Sequence, residues 1–99
     1  GEKKVEGRVN RGKFKGLLSG DIIRFCDREN PEVELSCIVL KTTVYKNFKE
    51  MLITEGLNNV LPTLGLNLKE GVALYNSFSD FEEAAKKNGV IAILVKVLN

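Results

Sequence analysis

Apolar and polar residues alternate along the first half of the chain, and this period of two predicts β-strands. In the first strand the pattern turns Val5 and Val9 inward. The last segment is apolar except for Lys96, so we expect it to be buried within the same sheet. The predicted strands cover residues 4–9, 22–27, 33–45 and 90–98.

The segment between the first two strands is polar and rich in Gly and Lys. We expect residues 10–19 to form a loop or a short helix that is anchored by Leu17 and Leu18. Gly20-Asp21 and Asn30-Pro31 are turn signals on either side of the second strand. The second half of the third strand is apolar on both faces, which is typical of a strand in a closed barrel or under helices.

Capping signals predict a helical region between the third and fourth strands. Asn47 and Asn67 are N-cap residues ahead of apolar runs, and Gly56 and Gly89 are stop signals. A short turn in this region ends at Pro62. The predicted helices cover residues 48–55, 68–78 and 80–87.

These elements predict an α+β fold in one domain over residues 1–99. The final strand has to return to the first sheet, because only there are both of its apolar faces covered. The simplest arrangement is a small β-barrel, or a curled mixed sheet, with helices packed against it.

Composition removes several classes of chemistry. Histidine is absent, so a Ser-His-Asp triad and a histidine-bound zinc are excluded, and we expect neither a metal nor a cofactor. No apolar run approaches the roughly 20 residues that cross a bilayer, so we expect no membrane partner. Cys26 and Cys37 form no CxxC pair; we expect two free thiols and a cytoplasmic location, with one disulfide as the alternative.

Positive charge is concentrated at the start of the chain. Residues 1–15 carry six cations and two acids, whereas the other 84 carry nine cations and eleven acids. A basic lobe on a nearly neutral body suits a phosphate-bearing ligand, although a solubilising loop would have the same composition. Arg11, Lys13 and Lys15 are the cations that we expect to steer a ligand backbone.

A lysine, a carboxylate and an arginine also lie close together at this end. On a strand, Glu6 and Arg8 project from one face about 7 Å apart, and a turn can bring Lys3 toward them. A carboxylate between two cations stays ionised and holds both in place, which would let Arg8 grip a phosphate or a base edge. An ordinary salt bridge between strand residues is the alternative.

Four stretches of the chain resemble ASCH domains, which belong to the PUA-like superfamily. The first is Gly1-x-Lys3-x-x-Glu6-x-Arg8, which resembles the ASCH signature. In the same order follow Gly20–Phe25, a helical insert over 48–75, and the closing strand Asn88–Ile93. The resemblance covers nearly the whole chain and implies a PUA-like barrel. ASCH domains usually carry a strand and a helix before the signature, whereas this sequence begins on the signature glycine. We expect either a shortened member or a domain whose first strand and helix lie outside this sequence.

The resemblance implies an RNA- or nucleotide-binding domain whose signature residues line a cleft between barrel and helices. Some small members are amidases that act on acylated cytidine through a motif lysine, a threonine and a glutamate of the helical insert. Lys3 matches the lysine and Glu55 the glutamate, whereas Glu6 stands in place of the threonine.

Three functions therefore remain open. The first is a binding module for RNA or a nucleotide, with ligand contacts from Lys3, Glu6, Arg8, Arg11, Lys13 and Lys15. The second is a metal-independent hydrolase acting on an acylated nucleoside such as N4-acylcytidine, with proton transfer by Lys3, Glu6 or Glu55. The third is a protein-interaction adaptor with an inert cleft.

Overall fold

The sheet has four strands in the part of the chain that this computed structural model describes, residues 5–26, 32–62 and 64–98. The strands are β1 (Val5–Val9), β2 (Ile22–Cys26), β3 (Glu34–Tyr45) and β4 (Val90–Val97). Their order is β1-β4-β3-β2, and every neighbouring pair is antiparallel. The predicted turn at Asn30-Pro31 lies outside the described residues, and so does Lys3.

The last strand lies at the centre of the sheet. β4 pairs with β1, where Val5 faces Leu94, and with β3, where Tyr45 faces Val90. Ile93 in this strand is completely buried. The prediction that an apolar final strand returns to the first sheet is therefore confirmed.

Helices fill the connection between β3 and β4. Asn47 caps the first of them by accepting a hydrogen bond from the Glu50 amide at 2.9 Å. Asn67 and Glu70 form a capping box, in which each side chain accepts from the other residue's amide. The helices are α1 (Phe48–Glu55), α2 (Leu57–Val60), α3 (Leu68–Asn76) and α4 (Phe81–Asn88). The predicted helices are confirmed, with the second ending two residues earlier than expected.

The main core lies between these helices and one face of the sheet. Val5 and Val9 are buried in it, as their spacing predicts. Phe48 and Tyr75 stack in parallel with ring centroids 4.3 Å apart, so Tyr75 is a core residue. Gly7 lies against this packing, because a Cβ atom there would be 2.7 Å from the Met51 Cε.

A smaller cluster occupies the other face, which we call the inner face of the curled sheet. Its buried members are Val39, Ile91 and Ile93. The segment after β1 contains one 3₁₀ turn, Gly12–Phe14, and Leu17 of this segment packs on the cluster. The prediction that Leu18 also anchors the loop is wrong, since it is 69% exposed.

The apolar second half of β3 is not covered as expected. Leu40 and Val44 are 45% and 57% exposed. The pairing register of β3 with β4 shifts between Val39 and Lys41, so Leu40 is an extra residue at a bulge. Apolar residues on both faces of this segment therefore do not mean that both faces are buried.

The α+β prediction is confirmed in its curled-sheet form. The sheet is a half-barrel that is antiparallel throughout, with helices packed against it. Cys26 is exposed, Cys37 is buried, and both thiols are free. Within the described residues, no helix is long and apolar enough to cross a membrane.

Replacing Gly89 should destabilise the fold strongly. Gly89 has φ 73° and ψ −172°, and a Cβ there would be 2.9 Å from the Tyr45 carbonyl oxygen. We expect Gly89→Ala to lower the free energy of unfolding by about 2–4 kcal/mol, because both backbone strain and a backbone clash result. Urea denaturation measures this change.

Gly65→Ala is the matched control. Gly65 also has a positive φ of 61°, but a Cβ there would meet nothing within 4 Å. We expect a cost of about 1 kcal/mol from the left-handed backbone alone. Equal costs at the two positions would contradict the proposed clash.

Candidate functional site

Glu6 and Arg8 project from the inner face of the sheet. Val5, Gly7 and Val9 face the helices, and alternation along β1 turns the two charged residues the other way. Arg8 Nη1 donates to Glu6 Oε2 at 2.7 Å and to the Gly7 carbonyl oxygen at 2.8 Å. The carboxylate therefore fixes one side of the guanidinium group.

The Arg8 side chain reaches across the open side of the half-barrel. β1 and β2 are the two edges of the sheet, yet Arg8 Cζ lies 5.4 Å from the ring centroid of Phe25 in β2. It also lies 5.7 Å from the ring of Phe14. These distances allow cation–π attraction to both rings.

Arg8 keeps hydrogen-bonding capacity in this position. Its side chain is 27% exposed and that of Glu6 is 15% exposed. Both of its hydrogen bonds to described residues use Nη1, so Nη2 and Nε have no partner in that part of the chain. A held guanidinium with a free edge is suited to bidentate recognition of a phosphate or carboxylate.

A shallow pocket of about 270 Å³ opens beside Arg8, and we call it the Arg8 pocket. Two further cations of the basic segment contribute to it, together with two aromatic rings. Its lining residues are Arg8, Val9, Arg11, Gly12, Lys13, Phe14 and Phe81.

Arg11 ties this pocket to α4. Its two terminal nitrogens donate to the two oxygens of Asp80, each at 2.9 Å, and its guanidinium lies over Phe81. The hydrogen bond from Arg11 lowers the pKa of the Asp80 carboxyl. Both groups are exposed, so the pair adds little stability and serves to position the loop.

The structure brings together only part of the predicted set. Arg8, Arg11 and Lys13 line one pocket, and Glu6 accepts a hydrogen bond from Arg8. Lys13 Nζ lies 5.4 Å from the Phe14 ring centroid. Lys15 is exposed and does not line the pocket.

Glu55 lies elsewhere. It ends α1 and accepts a hydrogen bond from the Tyr45 hydroxyl on the helix-covered face of the sheet. Glu6 projects from the inner face, so the structure does not place these two carboxylates in one site. Burial, followed by the hydrogen bond to Glu55, raises the pKa of Tyr45 to about 12.

Three residues at this site are not among those predicted from the sequence. Phe25 follows Ile23 by two positions on β2, so strand alternation places both on the inner face. Asp80 precedes a helix, where an N-cap role would be usual, yet its side chain binds Arg11 instead. For Phe81 the sequence predicts only a place in a helix. Within the described residues, no group of three or more Cys, Asp or Glu side chains could hold a metal ion.

Two solved structures are similar to this chain over nearly its whole length. Hypothetical protein PH0355 has a TM-score of 0.82 and 43% identity, covering 97% of this chain and 82% of its own. Protein PF0455 from Pyrococcus furiosus has a TM-score of 0.77 and 41% identity, covering 98% and 82%. No protein-family model matches the chain, and no curated protein matches it.

The Tyr45–Glu55 contact should make stability depend on alkaline pH. The folded chain holds the Tyr45 proton up to a pKa of about 12, against 10.0 ordinarily. The contribution is therefore complete below pH 10 and is lost as pH rises through about 12. We expect the free energy of unfolding to fall more steeply over this window in the natural chain than in Tyr45→Phe.

Urea denaturation of both proteins from pH 9 to 12 measures this difference, with lysine titration common to both. The same pH dependence in the two proteins would contradict the predicted role of the contact.

Proposed function

The chain belongs to the same family as hypothetical protein PH0355 and Pyrococcus furiosus protein PF0455, and we propose that it binds a nucleotide or single-stranded RNA in the Arg8 pocket. The observation that carries this proposal is the guanidinium of Arg8. Glu6 fixes one side of it, while Nη2 and Nε have no partner within the described residues. Such a group can donate two parallel hydrogen bonds to phosphate oxygens.

The ion pairs in the Arg8 pocket favour recognition through fixed hydrogen bonds over recognition through net positive charge. Arg8 is paired with Glu6 and Arg11 with Asp80, which leaves Lys13 as the lining cation that forms no ion pair with a described residue. Few phosphates can then be neutralised at once. We therefore expect affinity to fall only modestly with salt, with a slope of about −1 to −2 in logarithmic terms.

Aromatic contact supports a nucleotide over a bare phosphate. Phe14 and Phe81 both line the pocket and are partly buried, so part of each ring faces its interior. Aromatic rings of this kind stack on bases with little regard to sequence. Phe81 already lies against Phe48 and the Arg11 guanidinium. We therefore propose a ligand with a phosphate for Arg8 and a base beside Phe14.

We also propose that the family is a branch of the ASCH domains. The curled sheet with helices packed on it has the architecture that the resemblance implies. Glu6 and Arg8 of the signature lie together on the inner face. Both points support the proposal.

The two alternative functions have less support. A hydrolase would use Lys3 with Glu55 or with Glu6, and these two carboxylates lie on opposite faces of the sheet, so one site can contain only one of them. An adaptor would need a partner surface on the helical insert, where Ile53 and Leu64 are the exposed large apolar residues among those described. We therefore favour binding.

Substitutions at Arg8 and Lys13 test the proposal. Arg8→Lys keeps the charge and the partner Glu6 but removes the fork of donors, so we expect binding of a labelled eight-nucleotide RNA to weaken about tenfold. Lys13→Ala should weaken it about threefold, because it removes one solvated point charge. Fluorescence anisotropy gives the affinities, and backbone amide shifts with cytidine 5′-monophosphate locate the contact.

Lys69→Ala is the control for lost charge, since Lys69 is an exposed α3 residue that does not line the Arg8 pocket. Unchanged RNA affinity in both Arg8→Lys and Lys13→Ala would overturn the proposal. Release of cytidine from N4-acetylcytidine would instead favour the hydrolase.

A further inference from the structure

A second and larger pocket of about 420 Å³ lies between α1, α3 and α4, and we propose that it binds a small phosphate monoester. We call it the lysine pocket, because three lysines from separate segments converge on it. Its lining residues are Lys46, Asn47, Phe48, Lys49, Val72, Asn76, Glu82, Ala85 and Lys86. Its volume lies in the range of small-molecule sites.

The lysines are poorly neutralised by the protein itself. Lys46 follows β3, Lys49 belongs to α1, and neither forms an ion pair within the described part of the chain. Lys86 lies 3.5 Å from Glu83, but both side chains are largely exposed, so this pair is weak. Three convergent cations repel one another, and an anion bound between them would relieve that repulsion.

The charge of the lining fits a dianion. Among the described residues that line the pocket, three lysines and one carboxylate, that of Glu82, give a charge of +2. A phosphate monoester carries about −1.5 to −2 near neutral pH, whereas a simple carboxylate carries about −1. Lys is a point-charge binder of phosphate and needs no fixed geometry. Glu82 can accept a hydrogen bond from a hydroxyl group on the rest of the ligand.

The floor of the pocket favours an organic ligand over an inorganic ion. Phe48 is almost completely buried, and Ala85 is buried beside it. Val72 completes an apolar floor beneath the charged rim. A small sugar phosphate has both parts, an anionic group for the lysines and a carbon skeleton for the floor.

The lysine pocket is separate from the Arg8 pocket. Phe81 lines the Arg8 pocket, and Phe48 lines the lysine pocket. The two rings stack with centroids 6.0 Å apart, so they lie between the two pockets. Binding in the lysine pocket therefore does not depend on the function proposed above.

Titration of the whole chain with ribose 5-phosphate tests the inference. We expect saturable shifts of the backbone amides at 46–49, 72–76 and 82–86, and none with ribose at the same concentration. The triple variant Lys46→Gln, Lys49→Gln, Lys86→Gln should lose at least about tenfold in affinity, because it removes the charge of the rim. The variant Arg8→Lys should bind as the natural chain does.

The matched control is the triple variant Lys41→Gln, Lys69→Gln, Lys87→Gln, which changes net charge equally at three exposed lysines outside both pockets. We expect its affinity to change less than twofold. All six positions are exposed, so both variants should fold. Equal losses in the two triple variants, or shifts that never saturate, would overturn the inference.

A titration with short RNA separates the two possible sources of phosphate. Shifts at the lysine pocket that need RNA and disappear in Arg8→Lys would overturn the independent site and make the pocket part of the RNA surface. Loss of RNA binding in Arg8→Lys together with an intact ribose 5-phosphate response would support two separate sites.

Discussion

Pairing of β4 with both β1 and β3 is the constraint on which the rest of the structure depends. This strand is apolar at almost every position, so each of its faces needs a separate cover. The helices cover one face, and the curl of the sheet covers the other with the small cluster around Val39 and Ile93. The curvature that creates the inner face is thus a direct consequence of burying a strand that is apolar on both faces.

The curled sheet also gives Arg8 its surroundings. In a flat sheet the strands β1 and β2 would be about 14 Å apart, because two strands lie between them. Here Phe25 of β2 is within cation–π distance of an arginine on β1. One residue thus contacts both edges of the half-barrel while Glu6 holds its guanidinium. The same curvature that closes the core therefore assembles the candidate site.

How much of the fold and of the candidate site could be predicted from the sequence depends on the range of the interactions involved. The inward turn of Val5 and Val9 and the cap at Asn47 were predictable, because alternation and capping act within a few residues. The exposure of Leu18 was not, since apolar character does not say which neighbour covers a side chain. The Glu6–Arg8 pair could be anticipated from one strand. The aromatic rings around Arg8 and the Arg11–Asp80 pair could not, because they depend on curvature and on residues distant in sequence.

The Arg11–Asp80 pair joins positions 69 apart in the chain, with a positive φ of 59° at Asp80. Aspartate and asparagine adopt this backbone conformation more readily than most residues, but only aspartate can pair its charge with the guanidinium. We therefore expect the residues at the two positions to change together among relatives. Where a relative has lost the arginine, glycine or asparagine should replace the aspartate. This coupling should hold even if the residues around the two positions change independently.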